Sequence, residues 1–84
     1  MAAAATAKLE TIYIGTYTDP TGSQGIYSAQ LNTLTGEITN LNLGAVAENP
    51  SFLAIHPSGL FLYAVHETNV GAASSYKVLP DHTL

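Results

Sequence analysis

Three short clusters hold the densest polar groups of the chain: Thr16-Tyr17-Thr18-Asp19, Glu48-Asn49 and His66-Glu67-Thr68-Asn69. They bring together carboxylates and an imidazole, which can take a proton from water. They also supply amides and hydroxyls, which can donate to an oxygen gaining negative charge. Several other chemistries are missing from the residue inventory. The sequence has no G-x-S-x-G nucleophile elbow and no glycine-rich phosphate loop. His56, His66 and His82 lack metal-ligand spacing, so no metal site is expected. Without cysteine there is neither a disulfide nor Cys-bound zinc. Lys8 and Lys77 are the only basic side chains besides histidine, and without arginine no bidentate phosphate clamp can be built.

The elements that must position these clusters are short strands. Glu10–Tyr17 is rich in β-branched and aromatic residues and predicts a strand. Gly25–Leu31, Glu37–Leu43, Ser51–His56, Leu60–Glu67 and Ser74–Leu79 predict five more, separated by turn signals such as Asn32-Thr33-Leu34-Thr35-Gly36 and His56-Pro57-Ser58-Gly59. No helix is predicted. Leu60–Glu67 is apolar on both parities, which predicts a strand buried on both faces, with Tyr13, Phe61 and Tyr63 in a core between sheets. Glu37–Leu43 alternates poorly, as an outer, partly wet strand does.

The strands repeat. Thr11-Ile12-Tyr13-Ile14 returns 50 residues later as Phe61-Leu62-Tyr63-Ala64, and Gly25-Ile26-Tyr27-Ser28 returns as Ser74-Ser75-Tyr76-Lys77 with Tyr27 and Tyr76 49 apart. A unit of short strands at this period fits one four-stranded antiparallel propeller blade of about 40–50 residues. With strands labelled a to d from the axis outward, the order reads b-c-d, then a-b-c. This predicts an all-β fold of about one and three-quarter blades: a leader over 1–9, then a partial propeller domain over 10–84, divided into 10–47 and 48–84.

Composition narrows the partners. The 84 residues carry a net charge of −4, which argues against nucleic acid and against an anionic membrane surface. No run approaches the ~20 apolar residues of a membrane span. Only 10% of residues are charged, well under the about 25% of an average domain, so much of the surface is built for burial against something else. Met1–Lys8 resembles an export signal only superficially, since it lacks a basic start.

Several motifs in order carry a family resemblance: Tyr13-Ile14-Gly15-Thr16-Tyr17-Thr18, Gly25-Ile26-Tyr27, Thr35-Gly36, Asn49-Pro50-Ser51-Phe52-Leu53-Ala54, Pro57 and Leu62-Tyr63-Ala64-Val65-His66-Glu67. They closely resemble the opening of the lactonase-family seven-bladed propellers, the 6-phosphogluconolactonase-like group. His66 departs from the family pattern, which usually has Asn there. The resemblance implies a carboxylic-ester hydrolase that opens a sugar lactone in the pentose phosphate route, cytoplasmic and without a cofactor. It also implies that this chain corresponds to an N-terminal part, not active by itself, with phosphate-binding and further catalytic residues in later blades.

Propeller geometry places the d-to-a and b-to-c connections on one face, so the three polar clusters should converge. For lactone hydrolysis, Glu67 or His66 would serve as base or position it, and Thr16, Tyr17 and Asn49 would bind substrate. Plainer roles stand beside these. Glu67 at a strand end can simply accept backbone or tyrosine hydrogen bonds, Asn49 before Pro50 can simply form a turn, and His56 belongs to the hairpin on the opposite face. A non-enzymatic binding or scaffold propeller, or a fragment that self-associates through its open edges, are the alternatives to an enzyme.

Overall fold

A computed structural model describes residues 8–84. Six strands form: β1 Leu9–Ile14, β2 Gly25–Asn32, β3 Ile38–Val46, β4 Pro50–Ile55, β5 Phe61–His66 and β6 Ala72–Lys77. They pair as two antiparallel sheets, β1-β2-β3 and β4-β5-β6. No helix occurs among the described residues. The strand orders match the expected b-c-d and a-b-c. Of the expected leader, residues 1–7 lie outside the described residues, while Leu9 already pairs with Asn32.

The hairpin turns close where the sequence signals them. Asn32 Oδ1 accepts from the backbone N–H groups of Leu34 at 3.0 Å and Thr35 at 3.2 Å. The Gly36 N–H then reaches the Asn32 carbonyl at 2.7 Å. Gly36 has φ +78°, a conformation open to glycine and strained for other residues. His56 closes the second hairpin in the same local way: its Nδ1 accepts from the Ser58 N–H at 3.0 Å, and its carbonyl accepts from the Gly59 N–H at 2.8 Å.

The two sheets meet face to face. Ile26 from the first sheet and Leu62 and Ala64 from the second are buried together, with Tyr13, Ala45, Leu53, Tyr76, Val78 and Leu84 packed around them. This apolar contact removes area from water at roughly 25 cal/mol per Å2, the main force joining the sheets. β1 ends at Ile14, short of the expected Tyr17, because the chain turns there toward the second sheet. The Thr16 N–H donates to the Pro50 carbonyl at 3.1 Å. A Cβ on Gly15 would fall against that same Pro50 oxygen, so the close approach requires glycine.

One expectation is corrected. β5 is covered on one face only: Leu62 is 0% and Ala64 2% exposed, against 37% for Phe61, 42% for Tyr63 and 43% for Val65. Of the three aromatic residues assigned to a core between sheets, Tyr13 lies there; Phe61 and Tyr63 do not. The physical reason is that β5 has a sheet against one side and, among the described residues, none against the other. β3 is the exposed outer strand that its pattern implied, and it runs on to Val46.

Candidate functional site

The three polar clusters do converge. Asp19, Glu48, Asn49, Glu67, Thr68 and Asn69 line one open hollow of about 440 Å3 at the rim where β1 ends, β4 begins and β5 ends. Three carboxylates, two amides and a hydroxyl share it, with no cation from the described residues.

Asn49 ties the segments together. Its Oδ1 accepts from the Thr18 N–H at 2.8 Å, the Thr18 hydroxyl at 3.2 Å and the Asp19 N–H at 3.2 Å. Its Nδ2 donates to the Glu67 carbonyl at 3.1 Å. The backbone adds two bonds: the Asn49 N–H donates to Thr18 Oγ1 at 3.0 Å, and the Asn49 carbonyl accepts from the Glu67 N–H at 3.0 Å. The residue sits in the left-handed region at φ +44°, which asparagine tolerates better than most side chains. It is the turn former of the plain reading, and it also borders the hollow, with a second Nδ2 hydrogen not used by these bonds.

Glu67 is exposed and held by hydroxyls from two other segments. The Tyr17 phenol donates to Oε1 and Oε2, both at 3.1 Å. The Ser51 hydroxyl donates to Oε1 at 2.5 Å. These donors fix the plane of the carboxyl group. Ser51 was missed as a site residue by the sequence reading, which took it only as the start of a strand. No sequence pattern marks it, since a lone hydroxyl at the start of a strand shows its partner only once the backbone sets Glu67 beside it.

His66 lies one residue inward and half-buried. Its Nδ1 is 2.8 Å from the Glu48 carbonyl, which can only accept, so Nδ1 carries a hydrogen. Nε2 then faces the Ser74 hydroxyl at 2.8 Å. Both ring nitrogens are engaged in joining the connection before β4 to the strand β6. Thr16 is engaged as well: its hydroxyl donates to the Gly25 carbonyl at 2.6 Å. Of the five residues singled out in the sequence, the structure places Glu67 and Asn49 on the hollow, Tyr17 on Glu67, and Thr16 and His66 behind the rim.

Among the described residues no group of three or more His, Asp or Glu is arranged to hold a metal ion. No helix of the described residues is long and apolar enough to cross a membrane.

Known proteins are similar to this chain. A family model described as lactonase, 7-bladed beta-propeller, matches residues 11–84. A 6-phosphogluconolactonase of Bacillus subtilis is 33% identical over 67 residues, covering 79% of this chain and 19% of that protein. One from Formosa agariphila is 31% identical over 70 residues, covering 80% of this chain and 20% of that protein. Among solved structures, a candidate 6-phosphogluconolactonase from Bacteroides uniformis superimposes with a TM-score of 0.79 at 35% identity, covering 90% of this chain and 22% of the other. The chain thus spans about a fifth of the length of the curated relatives it matches.

Proposed function

The chain belongs to the lactonase family of seven-bladed β-propellers, and from that premise we propose that it forms part of a hydrolase opening a sugar lactone. The observation that carries this reading is the hollow itself, where side chains from three distant segments surround the Glu67 carboxyl group. In the proposed reaction Glu67 takes a proton from water as its oxygen adds to the lactone carbonyl. The carbonyl oxygen becomes an oxyanion, which the free Nδ2 hydrogen of Asn49 stabilises, while the Tyr17 phenol holds Glu67 in place. The ring C–O bond then breaks, the ring oxygen takes up the proton, and the open acid leaves. Thr16 and His66 hold the rim from behind. No cofactor takes part.

The substrate class we propose, a 6-phosphogluconolactone, is supported by the names of the relatives; its consumption in the cytoplasm on the pentose phosphate route is part of the same proposal. The acidic hollow would repel a phosphate, so the phosphate end points away from it and needs cations from elsewhere. For that reason this chain alone does not accelerate lactone opening above buffer. A rate well above buffer, abolished by Glu67→Ala, would overturn that statement while supporting the role of Glu67. Binding is tested by backbone amide NMR with millimolar 6-phosphogluconate, the ring-opened product. Shifts confined to Asn49, Glu67, Thr68 and Asn69 are expected, and their absence counts against the site.

One observation favours a second reading. Both oxygens of Glu67 already accept hydrogen bonds, as in a structural brace. A non-enzymatic binding propeller would keep the same NMR shifts in the Glu67→Gln variant, whereas the hydrolase reading expects them to weaken.

A further inference from the structure

β4 carries an irregularity at the edge of the hollow. Pro50 pairs with His66 and Phe52 with Val65, so Ser51 is an extra residue with no partner opposite, a β-bulge. Its N–H does not cross to β5. It turns back to the Asn49 carbonyl at 2.8 Å, and the same carbonyl accepts the Glu67 N–H at 3.0 Å. One oxygen therefore brings the backbones of Ser51 and Glu67 together.

The bulge also changes where the serine side chain goes. In a regular strand Ser51 would share the face of Leu53, which packs between the sheets. Instead its hydroxyl donates to Glu67 Oε1 at 2.5 Å. Bulges re-aim side chains in this way and are frequent beside sites of chemistry. The Tyr17 phenol has a single hydrogen to offer, and its oxygen stands 3.1 Å from both Oε1 and Oε2. It spans the carboxyl group without distinguishing the two oxygens. Ser51 does distinguish them: Oε1 faces two hydroxyls, and Oε2 faces only the shared one.

We infer that Ser51 is the positioning residue of Glu67, engaging Oε1 and leaving Oε2 as the oxygen that meets the attacking water. This rests on the proposed role of Glu67 as base. Ser51 touches no reacting atom and keeps its own hydrogen throughout; the proton of the water passes to Oε2 and on to the ring oxygen. A base whose open oxygen can swing away loses the alignment that proton transfer needs, so the serine acts through the glutamate.

Side-chain NMR of the chain reads this directly. A held glutamate shows two resolved Hγ signals with unequal couplings to its Hβ atoms, and a freely rotating one shows averaged values. Ser51→Thr keeps the hydroxyl, and Ser51→Val puts a methyl in its place on a side chain of the same shape; both residue types suit a strand. The parent chain and Ser51→Thr are expected to show the resolved pattern for Glu67, and Ser51→Val the averaged one. Ser51→Ala should average it too, which covers the case in which Ser51→Val disturbs β4. Unmoved amide signals of Phe52 and Val65 check the pairing in each variant. A serine that only shapes the strand would give the same Glu67 pattern in the threonine and valine variants, and that result overturns the inference. Averaged Glu67 signals in the parent chain overturn it as well. The hydrolase reading fails by a different result. If Glu67 is held in the parent chain but 6-phosphogluconate moves no amide of the hollow, that reading falls and the positioning of Glu67 by Ser51 stands.

Discussion

The two rims of the molecule are built in opposite ways. At the rim carrying the hollow, side chains bond across long separations: Tyr17 to Glu67, Thr18 and Asp19 to Asn49, Asn49 to Glu67, His66 to Glu48. At the other rim the turns bond within their own sheet, with Asn32 serving Leu34 and Thr35, Thr33 reaching the Lys8 carbonyl and His56 serving Ser58. The first rim exists only when both sheets are in place, while each turn of the second needs only its own sheet. A polar constellation assembled from distant segments is suited to binding, because its shape depends on the whole fold. A self-contained turn only reverses the chain.

Substitutions can break this contrast. The largest effect is expected for Asn49→Ala, which strips the partner from the Thr18 and Asp19 N–H groups and from the Glu67 carbonyl. It should cost about 3 kcal/mol in urea unfolding. Asn49→Gly, which keeps the backbone conformation easy, should lose nearly as much if the side chain matters more than the turn. Gly15→Ala comes next, at about 2 kcal/mol, because the new methyl must push back the Pro50 carbonyl where the sheets join. Gly36→Ala, on the self-contained rim, should cost about 1 kcal/mol from its positive φ alone and leave the hollow's NMR signals unmoved. Tyr17→Phe removes one exposed donor from Glu67 and should cost about 0.5 kcal/mol. Its informative readout is a shift of the Glu67 and Asn69 amides.

The smallest expected effect is one of pH, at the junction near residues 81–83. Burial, and then the Asp81 charge, raise the Tyr13 phenol above its ordinary value, and its hydroxyl donates to the His82 carbonyl at 2.5 Å. The folded state therefore holds this proton more tightly than the unfolded chain does. The contribution is complete below the ordinary tyrosine value of about 10 and declines as pH rises above it. Asp81 runs the other way: bonds from the Thr83 hydroxyl and N–H hold its carboxyl below the usual range. Its contribution is present above the ordinary carboxylate value and fades as pH falls through the lowered one. Tyr13→Phe should flatten the alkaline limb of a Tm-versus-pH curve and leave the acid limb in place.

Much of this was legible in the residues. All six strands follow from β-branched and aromatic runs cut by turn signals, and the period placed them in the right sheets. The convergence of the three polar clusters followed from which connections share a rim. Ser51 and Thr18 were not legible as partners, because a lone hydroxyl at a strand end carries no pattern until the backbone sets its neighbour. The two-sided apolar pattern of β5 misled in a specific way. It records what each face is built to touch, and Phe61, Tyr63 and Val65 are built for contact although nothing among the described residues covers them. The left-handed backbone of Asn49 was hidden as well, because a following proline biases toward extended conformations.

Tyr17 and Glu67 occupy the same station in successive units, 50 residues apart, and they touch. One gives a hydrogen and the other receives it, so the bond has a direction. Tandem copying of a gene segment would at first have placed identical residues at that station, with no such distinction between neighbours. Divergence at this one position makes the order of the units matter. A chain with its two units exchanged would turn the glutamate toward a stranger and leave the tyrosine at the wrong border.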